Sequence, residues 1–158
     1  MTFVTIFLLL LAALFTLAFF TRRRFGVLGL ALATGALISG LWVADLTPVV
    51  AQAGFVLIKP PLESVVAASL TLAPALLLLM SGPSYRSSWQ RAFGAVLFAV
   101  LAAVLLLEPL GSALIIDGPG EQLYKFFVTN RVIIITVCVG MALIDLLLTK
   151  TPKMPSKH

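Results

Sequence analysis

Two acidic residues within long apolar stretches are the positions at which this chain could do chemistry. Glu108 directly precedes Pro109, and Asp145 lies four residues before the end of the last apolar stretch. A carboxylate at membrane depth is costly, so such residues are candidates for proton or cation binding. At a helix end the same groups can instead reach the interface, where Asp145 would lie near Lys150. Both interpretations stay open.

Catalytic motifs are missing from the sequence. It has no Gly-x-Ser-x-Gly, no His-Glu-x-x-His, no phosphate-binding loop and no paired aspartates. Its one cysteine, Cys138, lies in an apolar stretch, and its one histidine is the last residue, His158. A metal site or a His-assisted nucleophile needs more such residues than this. The sequence therefore predicts a protein that is not an enzyme and has no cofactor or metal site; it identifies no small-molecule substrate.

The composition indicates which elements carry these residues. Of the 158 residues, 61% are hydrophobic and 11% are charged, against about 25% charged in an average soluble domain. Because so few polar side chains cannot cover a soluble surface, we expect an integral membrane protein in contact with the lipid bilayer. The net charge of +5 comes from basic residues in short polar segments, which is typical of orientation signals rather than of nucleic-acid binding.

The lengths of the apolar stretches predict an all-α, polytopic fold with about five transmembrane helices. Residues 1–149 would form a single helical membrane domain, and residues 150–158 a polar cytoplasmic tail. A stretch at 48–58 is too short to cross a bilayer and predicts an interfacial or re-entrant helix. The fourth span requires a helix that continues, bent, past Pro109, and the fifth could begin earlier, in the amphipathic segment 122–131. The predicted spans are 2–20, 25–44, 62–80, 92–116 and 128–148.

Basic residues predict the orientation of the chain. With the N-terminus outside, the cytoplasmic segments carry eight Lys and Arg residues and the outer segments three, which is a strong positive-inside bias. We therefore expect the N-terminus out and the C-terminus in, in the cell (inner or plasma) membrane. The determinants of this topology in the first two cytoplasmic turns are Arg22, Arg23, Arg24, Arg86 and Arg91.

Two further charged residues flank predicted spans. Arg131 precedes the apolar run 132–148 of the fifth span, where it would be an interfacial anchor or pair with Glu108 or Glu121. Glu63 falls in the first turn of the third span, where the helix dipole favours an acidic side chain.

Small residues recur at helical spacing in the second span, with Gly35 and Ser39 beside them. Such a face lets two helix backbones approach closely, which drives helix association in lipid. Two interpretations remain: packing within one protomer, and an interface in a homo-oligomer or with another membrane protein. The residues of this predicted packing face are Gly29, Ala33, Ala36, Gly40 and Ala44.

The order of these features over residues 2–107 resembles the colicin V production family of bacterial inner-membrane proteins. The match consists of an uncharged first span, a Gly-rich second span, an outer segment from Pro48, and two similar span openings, Arg24-Phe25-Gly26 and Arg91-Ala92-Phe93-Gly94. The resemblance implies a role in toxin production or export, or in envelope integrity. It implies no catalytic residue.

Two functional hypotheses follow. The first is a non-enzymatic membrane protein of that type, which acts through helix–helix assembly. The second is a small proton- or cation-coupled transporter or channel, with Glu108 and Asp145 on the path. Replacing these two residues with Gln and Asn should leave an assembly factor active and disable a carrier.

Overall fold

The described part of the chain folds into six helices that pack into one bundle. A computed structural model describes residues 2–54, 60–81, 88–113 and 119–148, and nearly all of them are helical, which confirms the all-α class. The helices are α1 (Thr2–Thr21), α2 (Phe25–Gln52), α3 (Leu62–Ser81), α4 (Ser88–Ala113), α5 (Pro119–Thr129) and α6 (Arg131–Leu147).

Four of these helices, α1 to α4, are long and apolar enough to cross a membrane. The fifth candidate is the pair α5 and α6, which meet at an angle of 61°. The chain is therefore a multi-pass membrane protein, as its composition predicts, with four or five candidate spans in its described residues. The orientation of its termini stays a prediction, and the tail at 150–158 lies outside the described residues.

Helix α4 lies at the centre of the bundle and contacts each of the other five helices. Every residue from Leu101 to Leu107 is buried, so this part of α4 is apolar on all sides, as expected of a helix surrounded by others. The most extensive pairing outside this centre is between α2 and α3. The core thus runs along α4, with α1, α2, α3 and α6 around it.

The two ends of the bundle carry different charges. At the basic end, α1 and α3 finish and α2 and α4 begin, beside Arg23 and Arg91. At the acidic end, α3 begins with Glu63 in its first turn and α4 passes Glu108 near its finish.

Helix α2 does not end where the sequence analysis places its end. It continues past Asp45 and through Pro48 to Gln52, so the prediction of a second span ending at residue 44 was wrong. The prediction of a separate helix at 48–58 is also wrong for the part that the structure describes, because residues 48–52 belong to α2. Residues 55–58 lie outside the described residues. A proline removes only one backbone hydrogen bond, and the apolar residues after Pro48 continue the helix.

Helix α4 continues through Pro109 to Ala113, which confirms that this proline does not end the fourth span. The helix begins at Ser88, four residues before the predicted start at 92. The remaining residues of the predicted span, 114–116, lie outside the described part of the chain.

The predicted fifth span is interrupted at Asn130. Asn130 lies between α5 and α6 with φ of −96° and ψ of 6°, and its side-chain amide donates a hydrogen bond to the Phe126 carbonyl at 2.8 Å. Helix α6 alone then runs between the two ends. Helix α5 turns aside at the acidic end, with its exposed Glu121–Lys125 pair on one face and Phe127 against Phe7 of α1, ring centroids 5.4 Å apart, on another. The amphipathic helix of this protein is therefore α5.

Arg22 follows the last residue of α1 in a left-handed conformation, with φ of 57°. This conformation costs a residue with a Cβ about 1 kcal/mol, and glycine adopts it freely. We expect Arg22→Gly to raise the free energy of unfolding by about 1 kcal/mol. The measurement is the temperature at which the buried thiol of Cys138 becomes reactive to a thiol-specific dye in detergent. Arg24, with φ of −72°, is the control, since Arg24→Gly should bring no gain.

Candidate functional site

An ion pair joins α4 and α6 at the acidic end. Arg131 Nη1 lies 3.0 Å from Glu108 Oε2, with the Arg131 side chain 38% exposed and the Glu108 side chain 75% exposed. This is one of the two pairings that the sequence analysis allows for Arg131. A pair this exposed contributes about 0–1 kcal/mol to stability in water. The ion pair matters mainly because it places one positive and one negative charge at the rim of a pocket.

That pocket lies between α2, α3 and α4 and has a volume of about 540 Å³. We call it the polar pocket. Three hydroxyl-bearing residues on its walls, Ser39, Ser64 and Thr71, are at least 93% buried. Glu63, Glu108 and Arg131 add two negative charges and one positive charge to its lining. Pockets of this size in proteins hold small molecules or parts of lipids.

The inner wall of the polar pocket is the closest contact between α2 and α3. Both the Ser39 and the Thr71 hydroxyl groups donate to the Ala67 carbonyl, at 3.2 and 2.9 Å. At Gly35, a Cβ would overlap the Thr71 carbonyl and lie 3.0 Å from the Leu70 carbonyl oxygen. The hydrogen of Gly35 points at these oxygens instead, and such Cα–H···O contacts recur where helices pack closely. Gly35 is therefore the residue that sets the distance between α2 and α3.

Two arginines bind helix C-termini at the basic end. Arg23 donates from Nε to the Leu79 carbonyl at 2.9 Å and from Nη2 to the Met80 carbonyl at 2.7 Å. Arg91 donates from Nη2 to the Phe19 carbonyl at 3.1 Å, and its guanidinium lies 4.5 Å from the centre of the Phe19 ring. The last carbonyls of a helix lack partners and carry partial negative charge. These arginines therefore stabilise the ends of α3 and α1.

At the same end of the bundle, Asp145 binds the N-terminus of a helix, whereas the two arginines bind C-termini. Its Oδ2 accepts a hydrogen bond of 2.9 Å from the backbone N–H of Gly26, in the first turn of α2. The helix N-terminus carries partial positive charge, so a carboxylate there is favourable. Gly26 has no room for a side chain, because a Cβ would lie 2.7 Å from the Ala142 carbonyl oxygen of α6. Asp145 thus joins α6 to α2, and Lys150, its expected neighbour, lies outside the described residues.

The structure does not bring Glu108 and Asp145 together. Glu108 is bound to Arg131 at the start of α6, whereas Asp145 lies near the end of the same helix. At a rise of about 1.5 Å per residue, they are separated by about 20 Å along α6. Between the two ends, the central helix is buried from Leu101 to Leu107. A single binding site cannot contain both carboxylates.

The residues of the predicted packing face on α2 lie in two different environments, one packed within the protomer and one exposed. A Cβ at Gly29 would touch Phe25 and Ala142 of α6, at 3.0 and 3.1 Å, so this part packs within the protomer. Ala33 is half-buried, and Ala36 packs against the main core. Gly40 has nothing within 4 Å of where its Cβ would stand, and Ala44 is exposed.

The predicted topology determinants are placed as follows. Arg22 is exposed, Arg24 precedes the first residue of α2 with extended backbone, and Arg86 lies outside the described residues. The structural roles of Arg23 and Arg91 as caps were not predicted, because apolar-run lengths do not reveal which helix ends lie side by side. The polar pocket was not predicted either, since Ser39 and Ser64 meet only through the packing of two helices.

Residues that commonly hold metals are scattered. Within the described ranges, no three His, Cys, Asp or Glu residues lie close enough together to bind an ion. Cys138 is buried in α6 against the main core.

The fold and these sites define an all-helical, multi-pass integral membrane protein with capped helix ends and a polar pocket at one end. Compared with profiles of known protein families, with curated protein sequences and with solved structures, the chain matches none of them.

Proposed function

We propose that this chain is a non-enzymatic protein of a bacterial inner membrane that acts through helix–helix assembly, in toxin production or export or in envelope integrity. The resemblance to the colicin V production family supports the role. The observation that carries the proposal is the use of charge at the basic end, where Asp145, Arg23 and Arg91 each bind the terminus of another helix. These ionisable groups hold the bundle together.

The separation of the two carboxylates argues against the carrier hypothesis. A proton- or cation-coupled carrier needs its titrating groups on one continuous path. Glu108 and Asp145 lie at opposite ends of α6, and the Asp145 carboxylate is bound to the backbone of α2. A buried segment of α4, Leu101–Leu107, runs between these ends.

The second half of α2 offers a surface for assembly. Around Gly40, the side chains of Leu37 and Leu41 are 70% and 74% exposed. The small residues Gly40 and Ala44 are four apart, which is the spacing at which two helix backbones approach closely in lipid. A helix of a second copy, or of another membrane protein, fits such a surface.

We expect Asp145→Asn to keep the function of the protein. The asparagine carbonyl still accepts from Gly26 N–H, so the cap is retained while the titratable group is removed. The measurement is restoration of toxin secretion, and of resistance to a hydrophobic dye, in a source strain that lacks the gene. Wild-type protein is the positive control, and Cys138 protection from a thiol-reactive dye confirms that the variant is folded.

A vesicle experiment provides the second arm. Wild-type protein in liposomes that contain a pH-sensitive dye should dissipate an imposed proton gradient no faster than protein-free liposomes do. A gradient that collapses with wild-type protein and persists with Asp145→Asn, together with failure of that variant in the strain, would establish the carrier and overturn the proposal.

A further inference from the structure

An apolar groove lies next to the polar pocket, on the other side of α3. It is formed by α1, α3 and α4, has a volume of about 530 Å³, and is lined mainly by aliphatic side chains such as Leu10, Ala68, Leu72 and Leu106. We call it the apolar groove. Ser64 and Pro109 line both cavities. The two spaces therefore meet at the acidic end of the bundle.

The dimensions of the apolar groove match one leaflet of a bilayer. Its lining on α3 extends from Ser64 to Leu76, which corresponds to about 18 Å at ~1.5 Å per residue. One leaflet contributes about 15 Å, half of a hydrocarbon core of ~30 Å. A lipid acyl chain that enters at Ser64 would therefore reach the end of the groove at the bilayer midplane.

The charges around the polar pocket indicate which head group the bound lipid carries. Arg131 supplies a guanidinium, which binds phosphate well, and Glu63 and Glu108 supply two carboxylates. A head group that carries both a phosphate and an ammonium group complements this set. An anionic head group without an ammonium would meet a net negative rim.

We propose that the two cavities together form a binding site for one zwitterionic phospholipid of the surrounding bilayer. Its phosphate binds Arg131 through guanidinium N–H groups that the Glu108 pair does not use. Its ammonium group binds Glu108 and Glu63, and one acyl chain fills the apolar groove. The buried Ser64 lies at the junction, where head group and chain meet. This inference rests on the acidic end, whereas the observation that carries the proposed function lies at the capped basic end.

The test is native mass spectrometry of the full chain, released from detergent after addition of one phospholipid at a time. The probes are phosphatidylethanolamine, phosphatidylcholine and phosphatidylglycerol with identical acyl chains. We expect one retained phosphatidylethanolamine, bound at least tenfold more tightly than phosphatidylglycerol. Ala68→Trp fills the groove and should weaken this binding at least tenfold. Leu77→Trp is the matched control on α3, because Leu77 is 68% exposed outside the groove, and it should change nothing.

Head-group recognition is tested separately. Arg131→Gln should weaken phosphatidylethanolamine binding at least fivefold, and Arg131→Lys should restore part of it. Glu108→Gln should reduce the preference for phosphatidylethanolamine over phosphatidylglycerol. Each variant is checked for folding by the protection of Cys138, and Val65→Trp, at the rim of the groove, replaces Ala68→Trp if that protein exposes its thiol.

Three results would overturn the proposal. Equal retention of all three lipids, unaffected by the groove-filling variant, would indicate ordinary lipid surrounding the bundle. A dimer that the groove-filling variant dissociates would assign the groove to a second copy of the chain. Loss of discrimination in the control Leu77→Trp would show that the effect does not arise in the groove.

Discussion

Gly35→Ala should destabilise the protein by up to about 2 kcal/mol, although alanine is the better helix former. The added Cβ overlaps the Thr71 carbonyl, a backbone atom that can move only if α3 moves as a whole. Overpacking of this kind typically costs about 1–3 kcal/mol, and it opposes a gain in helix propensity of about 1 kcal/mol. The measurement is the denaturant or temperature dependence of Cys138 labelling in detergent.

Gly40→Ala is the matched control, with the same substitution five residues further along α2. No atom lies within 4 Å of the added Cβ, so the variant should be as stable as the wild type or slightly more stable. Equal stability of the two variants would contradict the close contact between α2 and α3. A loss at Gly40 that exceeds the loss at Gly35 would place the tight interface on the other part of the helix.

Asp145→Ala should cost about 2 kcal/mol of stability. It leaves the backbone N–H of the buried Gly26 without its acceptor at 2.9 Å, and an unsatisfied buried donor costs about 1–3 kcal/mol. Amide hydrogen exchange at Gly26 should accelerate with the loss of stability, because the first turn of α2 is no longer capped.

Asp145→Asn is the informative comparison, since it keeps the acceptor oxygen and removes the charge. We expect it to retain more than half of the stability that the alanine variant loses. If the alanine and asparagine variants lose the same amount of stability, the stabilisation comes from the negative charge at the helix N-terminus and not from the hydrogen bond. If neither loses stability, Asp145 does not join α6 to α2.

The apolar stretches were sufficient to predict the helices but not all of their ends. The length of each stretch placed α1 and α3 closely, because Arg22 follows the first stretch, and Pro60-Pro61 and Gly82-Pro83 flank the third. Pro48 and Asn130 were misjudged for opposite reasons. Pro48 looked like a boundary, yet a helix tolerates one missing bond. Asn130 lay in a stretch read as continuous, yet α5 ends just before it, at Thr129.

The sites were harder to predict than the helices, because each depends on residues far apart in sequence. Asp145 stood out in the sequence as an acidic residue in an apolar stretch, but the neighbour considered for it was Lys150, which is near in the chain. The described partner is Gly26, at the start of another helix. Small residues on α2 were recognised by spacing, but Gly35, placed beside the predicted face, makes the closest contact. Only the packing of α2 on α3 shows that Gly35, and not Gly40, lies at the close contact.

The break at Asn130 has a consequence for the surrounding membrane. Helix α6 has 17 residues and is about 25 Å long, whereas a typical hydrocarbon core is ~30 Å thick. Its lipid-facing residues, such as Val132 and Leu147, which are 75% and 85% exposed, lie close to its two ends. Hydrophobic mismatch of about 5 Å is relieved by local thinning of the bilayer, at a fraction of a kcal/mol per Å. The α6 side of the bundle should therefore prefer thin bilayers, and short-chain lipids should accumulate around it.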